Sequence, residues 1–67
     1  MIVSAKAVRQ AMTRREFSVV NLAKSAKIPA YTVSRLSRGN QNLQMRTLAR
    51  LAKALGVDAE SLIVSTE

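Results

Sequence analysis

The chain has 67 residues with no Cys and no His, so disulfides, thiolate or imidazole metal sites and His- or Cys-based catalysis are all excluded. One domain is the most that this length supports, residues 1–67, and it buries only about 60% of its unfolded surface. All eleven Lys and Arg lie in residues 1–57 with a single acid, Glu16, while residues 58–67 carry Asp58, Glu60 and Glu67; a basic body of this kind points to a polyanionic partner, and a solvated surface is the plain alternative.

The apolar runs are far shorter than the roughly 18 residues of a membrane span, and MIVSAKAVRQ has no apolar core of a secretory signal, so a cytoplasmic protein without membrane contact is expected. The punctuation is sparse, at Pro29, Gly39 and Gly56, and the apolar spacing between these marks is helical throughout. No alternation over four or more residues suggests a strand, so an all-α bundle is predicted.

The first helix should start at Ser4 as N-cap and run to about Arg15, with Ala5, Val8, Ala11 and Met12 on one face. Arg14 and Arg15 suit the negative end of its dipole. The second should be capped by Ser18 and reach about Ala26, with Phe17 and Leu22 spaced as a hydrophobic staple. Ile28 precedes a proline and is pushed out of the helical region. Pro29 then suits the first position of a third helix ending near Arg38, with Gly39 as a left-handed cap. The polar segment NQNLQ should form a turn, with Leu43 tucked into the core. A fourth helix is predicted over Met45–Leu55, buried through Met45, Leu48, Leu51, Ala52 and Leu55, and Gly56 should end it. Asp58 should cap a fifth, short helix over Ala59–Val64, where Asp58 and Glu60 suit the helix dipole.

The third helix carries the most informative pattern. At about 100° per residue, Tyr31, Ser34, Arg35 and Arg38 share a sector of roughly 100°, and Val33 and Leu36 lie on the far side. One face is anchored in a core and a basic, hydrogen-bonding face is presented outward. With the short helix LAKSA just before it, joined by a tight turn, this is the arrangement that a major-groove reader requires, and an Arg can pair with both acceptors of a guanine. An ordinary solvated helix face is the competing reading. No acid pair, activated Ser or Thr, or Gly-rich phosphate loop is present, so neither catalysis nor a cofactor, metal or small-molecule ligand is expected.

The segments NLAKSAKIP, TVSRLSRGN and TLARLAKALGVDAESL, in this order, resemble the helix-turn-helix domain of the phage repressor and Cro family, also called the XRE family. The resemblance covers nearly the whole chain. It implies a compact five-helix, lambda-repressor-like domain with the helix-turn-helix at the second and third helices. It further implies sequence-specific binding of double-stranded DNA and regulation of transcription, as a repressor acting as a homodimer on a two-fold operator. Carried onto this sequence, the base-reading positions are Ala30, Tyr31, Ser34 and Arg35. DNA-backbone contacts fall to Ser18, Thr32, Arg38, Asn40, Gln41, Asn42, Arg46 and Thr47. Tyr31 has two readings, a DNA contact or edge packing over the second helix.

Three positions depart from the family pattern. Val19 stands where Gln is common at the start of the second helix, so a polar contact is lost and packing or an apolar contact takes its place. Pro29 replaces a Ser or Thr cap. Met12 and Ser37 occupy the places of a frequent Arg–Glu pair, and both partners are gone together. Candidates for a dimer surface are Leu62, Ile63 and Val64 with Met1–Val3; closure of the monomer core is their alternative use. An antitoxin using the same DNA-binding domain is a rival function, against which the lack of a tail beyond the fifth helix weighs. An RNA-binding module is another, disfavoured by only two aromatics, Phe17 and Tyr31.

Overall fold

The computed structural model describes residues 1–65. In chain order it has β1 (Ile2–Val3), α1 (Ala5–Arg15), α2 (Val19–Ala26), α3 (Ala30–Arg38), β2 (Gln41–Asn42), α4 (Met45–Leu55), a 3₁₀ turn (Ala59–Leu62) and β3 (Ile63–Ser65). The helices begin where side chains or backbone geometry stop competing with the helix. Ser4 Oγ accepts from the Ala7 N–H at 3.1 Å, and Ser18 Oγ accepts from the Asn21 N–H at 3.1 Å. Both caps fall where the sequence places them. α1, α2 and α4 end on residues with left-handed backbone, Glu16 at φ 55°, Lys27 at φ 58° and Gly56 at φ 70°.

Packing explains the choice of faces. Val8, Met12, Leu22, Ala23, Val33, Leu36, Leu48, Leu51 and Leu55 enclose one apolar core, and no buried polar residue interrupts it among the described residues. Ala23 and Ala26 leave room for the neighbouring helices to approach α2 closely. Phe17 and Leu43 pack against the rim of this core.

Several expectations fail for physical reasons. The bundle is not all-α, and there is no fifth α-helix among the described residues. The predicted helix over 59–64 is a single 3₁₀ turn that gives way to β3, because the Ser4 N–H donates to the Leu62 carbonyl at 2.7 Å and draws the chain into a sheet. Asp58 makes no side-chain cap there; its carbonyl accepts from the Ser61 N–H and hydroxyl. The expected turn at NQNLQ contains β2. The three strands form an antiparallel sheet in the order β2–β1–β3, with Val3 paired to Gln41 on one side and Ile63 on the other. Pro29 sits at the N-cap of α3, one residue before the predicted position, and Gly39 is extended at φ −176°, not left-handed. Met45, in the first turn of α4, is exposed and not buried, whereas Leu48, Leu51, Ala52 and Leu55 are in the core as expected. Of the dimer candidates, Val3 and Leu62 belong to the monomer core, whereas Met1 and Val64 are exposed. Glu67 of the acidic end lies outside the described residues.

Candidate nucleic-acid interface

α3 is held from behind by Val33 and Leu36, both fully buried, so its opposite face has to point outward. Ala30, Tyr31, Arg35 and Arg38 are exposed there, and Ser34 and Thr32 are half-buried beside them. Tyr31 keeps 59% of its surface open, so it is no core residue and most of the ring faces outward. Arg38 lies back along the helix: its Nη2 donates to Ser34 Oγ at 3.2 Å and its Nε to the Ser34 carbonyl at 3.5 Å. This fold-back places the Arg38 charge beside Ser34.

Arg35 leans the other way. Its Nη2 donates to Gln41 Oε1 at 3.4 Å, and the two residues share a shallow cleft of about 150 Å³ with Thr32, Asn42 and Leu43. Gln41 is fixed in turn by β2, and its Nε2 donates to the Gly39 carbonyl at 3.5 Å. The loop therefore braces α3.

Its neighbours are engaged in a similar manner. Asn40 Oδ1 accepts from the Ala5 N–H at 2.9 Å, and Asn42 Oδ1 accepts from the amino-terminal nitrogen at 2.8 Å. In both amides the acceptor end is used inside the chain. The NH₂ end is what remains to face a partner, and a donor suits a phosphate oxygen.

The helix starts complete the face. α3 and α4 begin at Pro29 and Gln44 with no side-chain cap, unlike α1 and α2. Backbone N–H groups at the start of α4 are thus open to an anion beside exposed Arg46 and half-buried Thr47. Ser18 is exposed at the start of α2, although its Oγ already serves Asn21. Val19 is half-buried against the core, as its apolar character suggests.

Three features escaped the sequence. Val20 is 53% exposed at the first turn of α2, an apolar side chain available to sugars or thymine methyls. A helical wheel could have found it, since Val20 stands about 110° away from the Leu22–Ala23–Ala26 stripe. Met45 presents a second exposed apolar side chain at the start of α4. Arg9 Nη1 donates to the Ser37 carbonyl at 2.8 Å, placing a cation at the negative end of α3; no spacing rule reveals that contact. It ties α1 to α3 one turn before Met12, which is plain core.

Among the described residues no group of three His, Cys, Asp or Glu could hold a metal, and no helix is long and apolar enough to cross a membrane.

Two short helices joined by a tight turn, the second presenting a basic polar face, define a helix-turn-helix DNA-binding domain. The sequence profile of the Cro/C1-type HTH DNA-binding domain matches residues 7–66, and the chain belongs to that family. Among solved structures, the restriction-modification controller protein C.AhdI from Aeromonas hydrophila has TM-score 0.79 at 24% identity, covering 88% of this chain and 89% of that one. A hydroxyethylphosphonate dioxygenase has TM-score 0.85 at 21% identity over 100% of this chain and 14% of that one. The Streptomyces albus dioxygenase has TM-score 0.82 at 30% identity over 94% and 15%. The chain thus spans about a seventh of the dioxygenase chains, and the likeness is one of fold. No curated protein sequence matches it.

Proposed function

We propose that residues 1–67 act as a single domain that binds specific duplex DNA sequences and regulates transcription in the cytoplasm, as a repressor without catalytic activity. The observation that carries this reading is the outward face of α3, with Tyr31, Ser34 and Arg35 held over a buried Val33–Leu36 back. Arg35 reads a guanine, Tyr31 meets a thymine methyl or a phosphate, and Ala30 and Ser34 lie close to base edges. Arg38, Arg46, Thr47 and the free amide ends of Asn40 and Asn42 grip phosphates, joined by Thr32, Gln41 and the helix start at Ser18. Membership of a DNA-binding family supports this reading, and so does the likeness to C.AhdI, a controller protein.

A domain this small touches few base pairs, so the functional species is a homodimer on a two-fold site. The exposed Val64 on the edge strand β3 is the surface for that contact. Repeated selection of random duplexes with the purified protein tests the proposal. A two-fold consensus with a guanine in each half is the expected outcome. A pool that stays random after several rounds would refute it.

A further inference from the structure

The C-terminal ends of three helices meet at a groove that no α3 residue lines. α1 ends at Arg15, α2 ends at Ala26 with Lys27 as its cap, and α4 ends at Leu55. Between them lies an open groove of about 560 Å³ lined by Arg15, Lys27, Arg50 and Lys53, together with Ser25 and two alanines. All four cations are exposed. Glu16 follows Arg15 in the chain but does not line the groove.

Dipoles account for part of this charge. Each helix C-terminus carries about half a negative charge, so three ends offset fewer than two of the four cations. The remaining charges repel one another across a single groove, which a polyanion would relieve. α4 also links the groove to the DNA face. Arg46, Arg50 and Lys53 fall within a sector of about 60°, so one basic stripe runs from the phosphate-gripping start of α4 into the groove. None of the residues assigned above to DNA contact lines the groove.

The lining selects the kind of partner. A protein segment docks through aromatic or large aliphatic anchors, and nothing larger than Ala26 and Ala54 is offered here. A phosphate backbone needs only an array of cations. Resting on the reading of α3 given above, we propose that this groove holds the phosphate backbone of a second DNA duplex, so that one bound protein joins two DNA segments.

The test immobilises a duplex carrying the selected site, saturates it with protein, and adds a labelled duplex of unrelated sequence at about 0.1 M salt. The wild type should retain the labelled duplex. The K27E/K53E variant should lose that retention about tenfold while its affinity for the immobilised duplex stays within about threefold, since both residues lie off the α3 face. K27Q/K53Q should fall between the two, and circular dichroism confirms the fold of both variants.

Wild-type protein that binds the first duplex and retains no second one overturns the inference. So does undiminished retention by K27E/K53E, or displacement of the labelled duplex by polyglutamate more readily than by random DNA, which would assign the groove to an acidic protein. Failure to bind the first duplex sinks the α3 reading instead. The groove is then read by titrating random-sequence duplex directly: K27E/K53E must flatten the log–log salt slope by about two, and an unchanged slope overturns it.

Discussion

Arg35 is held in place on the outward face of α3. Gln41 accepts from its guanidinium at 3.4 Å, and β2 fixes Gln41 through its pairing with Val3. A flexible arginine loses rotamer freedom when it docks on a base, and a brace reduces that loss. Replacing Gln41 by Ala should therefore narrow the preference for the base under Arg35 by about 1 kcal/mol, with the salt dependence unchanged. Competition between the selected duplex and single-base variants reads this; equal weakening of every duplex would leave Gln41 with its phosphate contact alone and remove the brace. Arg46 is the opposite case, an exposed cation at an open helix start. R46A should weaken all sequences alike and reduce the log–log salt slope by about 0.9, and a slope that stays put would remove Arg46 from the phosphate set. The outward residues of α3 were legible in the sequence because helical periodicity alone sorts them from Val33 and Leu36. The Arg35–Gln41 brace was not, because it depends on where a distant strand pairs.

The four α-helices are written locally, in Ser4, Ser18 and the apolar stripes, and they fall within a residue of the predicted bounds. The sheet is not. Its strands are two or three residues long, too short for alternation to register, and β1 finds its partners some 40 and 60 residues away. The fifth helix failed for the same reason, since pairing with β1 outweighs a short helical propensity. This sheet sets the position of the loop 40–43. The Leu43 N–H donates to the Met1 carbonyl at 3.0 Å, and Asn40 caps α1 through the Ala5 N–H. N40A removes that acceptor from a partly buried donor. It should cost about 1 kcal/mol and lower the thermal midpoint by about 4–8 °C. An unchanged midpoint would show that water replaces Asn40 at no cost, and that its role lies wholly in DNA contact.

At the scale of the molecule, one small core does two jobs. Leu36 and Val33 stabilise the bundle and aim α3, so stability and presentation are coupled. Leu36→Ala should cost about 2–5 kcal/mol, a large share of the few to about ten available to a chain of this size. Urea unfolding and DNA binding should then decline together; full binding by a chain with a loosened core would separate the two. Charge is spread more widely than the α3 face requires, with Arg15, Lys27, Arg50 and Lys53 lining a separate groove. The sequence shows this excess as a total and not as a place, because the groove exists only once three helix ends converge.

The central claim is that α3 reads bases in the major groove through Arg35. Four affinities test it most directly: wild type and R35A, each on the selected duplex and on a scrambled one, at about 0.15 M salt. The account predicts that R35A loses about 1–3 kcal/mol on the selected duplex and little on the scrambled one, so that discrimination shrinks. An equal loss on both duplexes would contradict it.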